Sequence, residues 1–513
     1  MNTNSKPGSG WFDAGAATNG LTSTDPSRRR LLGTGAAALV GAMLTPALMA
    51  PAGASERPGG HAREPQRRTL LRGGTVLTMD RSVGDFAQAD VLLEAGKIKA
   101  IERRLQVHDA ELIDATGMIV MPGFVDGHRH LWMGLLKNSG PNDLLGGFLA
   151  RTISGTAPFL TPDDVYISNL VSALGALRVG ITTVLDWSHI GTTPTHTDAA
   201  ILALQDSGMR AVFAYGANLG LNPPWYGNPQ SRYPEDIRRL RKQFFASPDQ
   251  LLTLALAATG PELAPMDAVL REWSLAREVG ARISVHVGFG LLGTRGLLQT
   301  LSSKVALGSD TTYLHCNTLS DNEWQLIANT GGTVSIAPQV EMQMGHGMPP
   351  FEKMRRFGIR PSLSVDIETN QPGDMFTPMR AAFQLERAQV NEQNRFGGPE
   401  PAPETLFTVR DVLELATVEG ARAHGLLSKV GTLTPGKDAD VILLRARSIN
   451  VAPVNDPVGA VVLGMDSSNV DSVFVAGRAV KRHGVMLGID EQGLLRRAEK
   501  ARVELLLRAG VRL

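Results

Sequence analysis

The chain holds a single cysteine, Cys316, in 513 residues, which excludes an internal disulfide and any paired-cysteine metal site. It also lacks a block of lysine and arginine long enough to grip nucleic acid, and its formal net charge is only +1. No G-x-G-x-x-G follows an early strand, so a dinucleotide-binding fold is without its usual sign. Lysine is missing altogether between Lys242 and Lys304, an absence that matters for metal chemistry below. What remains is ordinary for a globular protein, with 43% apolar and 20% charged residues. The length is too great for one core and predicts a large domain with a smaller one.

The first 54 residues do not read as fold. Ser27-Arg28-Arg29-Arg30 runs into an apolar stretch rich in alanine, glycine and leucine, which ends at the small residues Ala52-Gly53-Ala54. This resembles a bacterial twin-arginine export signal (1–54) cut after Ala54, followed by a tether at 55–67. It implies the twin-arginine translocase as a partner and a periplasmic or extracellular mature protein. An uncleaved membrane anchor is the alternative, weakened by the glycines, Thr45 and Pro46.

Beyond the tether, short strand-like runs occupy both ends of the chain, at 69–80 and 89–102 and again at 438–446 and 470–480. They predict a small β-sandwich built from residues 68–118 and 428–490, with a C-terminal helix over 491–513. The middle, 119–427, alternates. Strand-like runs at 119–125, 181–187, 210–216, 251–258, 281–287, 311–316, 333–338 and 360–366 are separated by helical patterns, and a Gly/Pro-rich loop falls at 391–404. Eight such alternations predict a (β/α)8 TIM-like barrel, with chemistry at the C-terminal strand ends. A doubly wound open sheet is the structural alternative.

Polar residues gather at those strand ends. His128 and His130, two apart in "PGFVDGHRH", face the same way from an extended backbone. His286 closes the fifth strand, His315 the sixth and Asp366 the eighth. Singly, a histidine at a strand end is usually just a polar terminus. Five such groups at one end of separate barrel strands are the neutral imidazoles and carboxylate that zinc or ferrous iron takes in an open catalytic site. Trp132, Trp187, Phe289, Met342, Met344, Met375 and Phe376 follow strand ends and are candidates for an apolar lining, leaning toward a flat heterocyclic substrate. His189 is a candidate substrate contact. Arg129, between the two ligands, points away from them and reads as structural.

With "PGFVDGHRH", "GITTVLD", "ATVEGARAHGL" and "GTLTPGKDADVILL" in place, the chain over about 68–490 resembles the amidohydrolase superfamily, in its cytosine deaminase and chlorohydrolase-like branch. The resemblance implies His128, His130, His286 and Asp366 as metal ligands, with His315 beside the water or substrate and Asp366 accepting the water's proton. It implies hydrolysis of a non-peptide C–N bond in a cyclic amidine, lactam or amide, or deamination of a heterocycle. Hydrolytic dehalogenation, or an exported barrel that binds without turnover, are the alternatives. A homodimer is left open. Two departures stand out. Binuclear members bridge their metals with a strand-four lysine, absent here, so one divalent ion is expected, zinc before iron. Many mononuclear members carry a glutamate three residues after the strand-five histidine, where this chain has Phe289. Glu341, after strand seven, or His346 is the candidate to take over its proton shuttle.

Overall fold

Alternating and β-branched runs at the two chain ends pair with each other in the computed structural model, which describes residues 68–395, 397 and 405–511. The expected export signal, the tether and most of the 391–404 loop lie outside the described residues. The first five strands are Arg68–Val76 (β1), Phe86–Glu94 (β2), Lys97–Glu102 (β3), Glu111–Asp114 (β4) and Met118–Pro122 (β5). The barrel strands are Phe124–Arg129 (β6), Ile181–Ser188 (β7), Arg210–Tyr215 (β8), Leu252–Ala258 (β9), Arg282–Val287 (β10), Thr311–His315 (β11), Thr333–Ile336 (β12) and Ser362–Leu363 (β13). Val441–Arg445 (β14), Val470–Val475 (β15), Arg478–Arg482 (β16) and Val485–Met486 (β17) complete the set.

The nine end strands form one mixed sheet in the order β17-β16-β15-β14-β5-β1-β2-β3, with β4 beside β1. The sheet wraps a small core of its own, in which Leu71, Val91 and Ile98 from the first half meet Val441, Leu443 and Phe474 from the second. The eight middle strands run parallel in sequence order, each beside the next. β13 returns to β6 through a parallel bridge between Arg129 and Asp366, where the Asp366 N–H donates to the His128 carbonyl at 3.0 Å. The fold is therefore a (β/α)8 barrel with an added β domain from both chain ends, as expected, and not an open sheet.

The run read as one strand over 119–125 is in fact two. Residues up to Pro122 pair with β1 and β14 in the end sheet, and the chain crosses into the barrel at Gly123. The Gly123 N–H donates to the Asp440 carbonyl at 3.0 Å, and the next N–H, from Phe124, donates to the Gly180 carbonyl at 3.0 Å. A Cβ on Gly123 would lie 2.1 Å from the Thr182 hydroxyl, so only glycine fits this crossing. A second difference is local: the helix Phe376–Asn394 runs into the stretch expected to be loop from 391.

Helices cover the barrel and start where their sequence says they should. Thr161 with Asp164, Ser320 with Glu323 and Thr408 with Asp411 each form a reciprocal capping box. The barrel interior holds Val125, Leu185, Val212, Ala255, Ala257 and Leu314, sealed from below by Ala421, Leu426 and Val430. The segment "ATVEGARAHGL" is thus the floor of the barrel, and Gly420 is needed there because a Cβ would sit 2.8 Å from Val125. The opposite end, where the strands finish, is left open for chemistry.

Candidate active site

β6 delivers His128 and, one residue past its end, His130 to the mouth of the barrel. Both rings are almost fully buried, and Asp366 lies between them, with Oδ1 at 3.3 Å from His128 Nε2 and 3.4 Å from His130 Nε2. His286 comes from β10, its ring centroid 4.8 Å from that of His128 and 5.7 Å from that of His130. His315, at the end of β11, places Nε2 3.8 Å from Asp366 Oδ2. Potential ligand atoms of His128, His130 and His286 lie within 4.8 Å of one another, as do those of His128, His315 and Asp366. All five strand-end residues expected from the sequence therefore meet at one point.

The chemistry of this cluster fits a metal ion. Neither nitrogen of the buried His128 ring has a hydrogen-bond partner among the described residues, which would be costly unless something else engages it. Burial first, then neighbouring His130, pushes His128 down to about 3, so the ring is neutral and free to ligate. Burial likewise holds His286 well below its ordinary value. Burial alone would raise Asp366, but the imidazoles of His128 and His130 packed against it outweigh burial and hold its carboxyl well below the usual carboxylate range. His130 Nδ1 donates to the Trp187 carbonyl at 2.8 Å, which fixes the tautomer with Nε2 toward the cluster. The backbone is held under strain here: His315 (φ 71°), Cys316 (φ 59°) and Asp366 (φ 67°) all occupy the left-handed region without being glycine.

A charged network behind the cluster fixes the strands. Asp126 Oδ1 accepts the Val365 N–H at 3.0 Å, tying β6 to the segment that carries Asp366. Arg129 points away from the ligands, as expected, and pairs with Glu368 at 3.0 Å and Asp126 at 3.5 Å. Lys137 closes on Glu368 at 3.1 Å. Asp186 receives the Leu131 N–H at 3.1 Å, and burial pushes its carboxyl up to about 7.

Glu341 is not where a proton shuttle would have to be. It sits in the short helix Pro338–Met344, fully buried behind His315 and off the cavity wall. Its Oε1 faces His315 Nδ1 at 3.1 Å and accepts the Ala337 N–H at 2.9 Å, while Oε2 accepts from Asn317 Nδ2 at 3.1 Å. Burial would lower His315, but the Glu341 hydrogen bond leads the groups that raise it, favouring an imidazolium that presents Nε2–H to the site.

The cluster opens into a cavity of about 370 Å³. Of the apolar candidates, Trp187, Phe289 and Met344 line it. Trp132 packs against His189 from outside, Met375 and Phe376 belong to the core, and Met342 is largely exposed. His189 and His346 both line the cavity, and none of their ring nitrogens has a partner among the described residues. The His346 ring lies 4.7 Å from His315 and 6.0 Å from Phe289, so it flanks the place of the missing strand-five glutamate. Sequence reasoning missed Phe148 and Leu149, in the short helical turns Leu145–Phe148 and Leu149–Ser154, and Leu219, Trp225 and Tyr226, around the single turn Trp225–Gly227; segments this short show no period. It also missed Glu262, just after β9, whose Oε1 accepts the Gly288 N–H at 2.6 Å and whose carboxyl burial pushes up to about 7. The only signal for it was an acid following a strand end.

The model of the amidohydrolase family matches residues 119–480. The chain is 26% identical over 452 residues to a 5'-deoxyadenosine deaminase of Methanosarcina mazei, covering 86% of this chain and 98% of that protein. It is 28% identical over 425 residues to a 5-methylthioadenosine/S-adenosylhomocysteine deaminase of Symbiobacterium thermophilum, covering 80% and 93%. Among solved structures, an adenosine deaminase from Xanthomonas campestris with bound zinc superposes with a TM-score of 0.74 at 20% identity, over 86% of this chain and 100% of that one. An atrazine chlorohydrolase from Arthrobacter aurescens, complexed with zinc, does so with a TM-score of 0.73 at 22% identity, over 85% and 100%. The matched span runs from β5 to β16 and takes in every strand of the barrel and all five residues of the cluster: this chain belongs to the amidohydrolase family.

Proposed function

We propose that the protein hydrolyses a non-peptide C–N bond in a small heterocycle, a cyclic amidine, lactam or amide, with a single divalent ion, zinc. The observation that carries this reading is the convergence of His128, His130, His286 and Asp366 beside His315 at the base of a cavity. The likeness to deaminases of adenosine derivatives and to zinc-bound hydrolases supports it. A single ion is favoured because β9 offers no lysine to bridge a second. Held by those four residues, zinc would supply Lewis-acid polarisation and a nucleophile at neutral pH. Asp366, ionised, takes the proton of the attacking water and returns it to the leaving nitrogen. His315, its Nδ1 tied to Glu341, turns Nε2–H toward the developing oxyanion.

Release of a halide is a second reading that one observation favours. Phe289 replaces the usual glutamate, and Asp366 is the only carboxylate among the described cavity-lining residues. A departing halide needs no proton, whereas a departing amine does. The test is metal analysis of the purified enzyme with a screen of aminopurines, aminopyrimidines, amino- and chlorotriazines and cyclic amides, reading ammonia, halide and ring opening separately. About one zinc per chain and ammonia release are expected. His128→Ala and His130→Ala should each lose metal and activity while keeping the fold. Two tightly held metals in active enzyme would refute the single ion, and full activity in either variant would refute the site.

We also propose that the chain is exported by the twin-arginine route and cut after Ala54. The support is the sequence alone, Arg28-Arg29-Arg30 before an apolar stretch that ends in small residues. Replacing the three arginines with lysine should strand the protein in the cytoplasm. Normal secretion of that variant would count against the route.

A further inference from the structure

We infer that the substrate is uncharged and carries a hydrocarbon arm, so that a nucleoside, with its hydroxylated sugar, is a poor occupant of this site. The inference rests on the proposed hydrolysis and narrows its substrate. It comes from how polar atoms are distributed along the cavity. At the metal end, His189 and His346 hold four buried ring nitrogens without partners among the described residues, 4.4 Å from His130 and 4.7 Å from His315 by ring centroid. Those nitrogens can read the polar edge of a ring. Further out the walls are Phe148, Leu149, Ile153, Leu219, Trp225 and Leu263.

The polar side chains along this outer part are already engaged. Asn218 Nδ2 donates to the Ala157 carbonyl at 3.1 Å and to the Thr192 hydroxyl at 2.9 Å, and its Oδ1 accepts the Gly220 N–H at 3.0 Å. Thr259 Oγ1 accepts from Trp225 Nε1 at 2.9 Å. Deeper in, Trp187 Nε1 donates to the Ser284 carbonyl at 3.2 Å. Ser154 and Tyr226, which carry the remaining hydroxyls, are exposed residues at the mouth. No lysine or arginine lines the cavity among the described residues, and Asp366 belongs to the metal cluster. A sugar hydroxyl or an ionised group held between the cluster and the mouth would give up its hydration with nothing in return. An alkyl or aryl arm loses nothing there. Leu149, Leu263 and Tyr226 are 40–42% exposed at the rim, apolar surface that such an arm would cover.

The test uses zinc-loaded enzyme and one amino-heterocycle core bearing graded substituents: ethyl, butyl, benzyl, carboxymethyl, aminoethyl and ribosyl. Turnover and, independently, calorimetric binding are measured for each. Along the alkyl series kcat/KM should rise by about fourfold per buried methylene. The ribosyl compound should fall about 100-fold or more below the benzyl one, two unpaired hydroxyls each costing about tenfold, and the charged compounds at least as far, because an unpaired ion costs more to desolvate than a hydroxyl. Leu149→Glu, with zinc content unchanged, should shift the ratio of aminoethyl to benzyl binding by about tenfold toward the cation. A ribosyl or charged compound that binds or turns over as well as the benzyl compound overturns the inference. If no core is turned over but binding follows the alkyl order, the hydrolytic reading fails and the substrate inference survives.

Discussion

Glu341 shows how a residue can be chosen for the right neighbourhood and the wrong task. It follows the seventh barrel strand, so the sequence allows it to reach the mouth. The short helix Pro338–Met344 instead turns it inward, where its oxygens are taken up by His315 Nδ1, Ala337 N and Asn317 Nδ2. It is a positioning residue, acting on substrate only through His315. Glu341→Gln keeps an acceptor for the His315 ring but removes the negative charge. We expect the metal to be retained and kcat to fall about 10- to 100-fold, the usual scale for losing such a supporting partner. Because the Glu341 bond raises His315, the pH limb governed by His315 should move toward acid. A variant that only loses stability, with its pH profile unmoved, would show that Glu341 merely packs.

At the scale of elements, the alternation of strands and helices was legible because burial on both faces leaves long apolar runs in parallel strands. The five cluster residues were legible for a related reason: a polar group ending such a run has few other uses. The crossing at Gly123 was not legible, because two sheets share one continuous apolar run and only a close contact with Thr182 separates them. Nor were the vestibule residues between 145 and 153 and between 219 and 226, since single helical turns and the loops that join them are too short to show a period. The second of these segments is nevertheless tied to a helix, through Trp225, whose Nε1 donates to Thr259 Oγ1 at 2.9 Å. Glu272, in Met266–Glu278, accepts from the Tyr233 hydroxyl at 2.6 Å and from the N–H of the cavity residue Thr259 at 2.9 Å, both on Oε1. Burial pushes its carboxyl up to about 7, with Tyr233 and Thr259 opposing. The folded protein therefore keeps a proton that the unfolded chain releases near its ordinary value. Stability falls as pH rises from the unfolded value to about 7, by about 3 kcal/mol in all, and changes no further above it. Glu272→Gln imitates the protonated acid and removes this slope. The difference in Tm between variant and parent should widen in the variant's favour from pH 5 to pH 8. A constant difference across that range would mean that Glu272 is ionised in the fold.

For the whole molecule, the question is what couples the end sheet to the barrel it accompanies. The motif "GTLTPGKDADVILL" supplies the answer in its two aspartates. Arg210, buried at the start of β8, pairs with Asp440 at 2.8 Å through Nε and with Asp438 at 2.8 Å through Nη2. Asp440 Oδ1 also accepts the Ala476 N–H at 2.8 Å, just beyond β15. One guanidinium at the closed end of the barrel thus neutralises two carboxylates of the β domain, and its fork geometry sets the angle between them. Such a pair adds little to stability compared with apolar residues that fill the same space, but removing Arg210 strands the buried Asp440 without solvent or counter-charge, while Asp438 keeps its ion pair with Lys97. Arg210→Leu should therefore cost about 3–5 kcal/mol in chemical denaturation. Adding Asp440→Asn to that variant should recover a good part of the loss, because it removes the stranded charge. Zinc content per folded chain should stay the same throughout, since the cluster lies at the opposite end of the strands. If Arg210→Leu denatures within about 1 kcal/mol of the parent, the range of exposed ion pairs, the junction is held by apolar packing between the two cores instead.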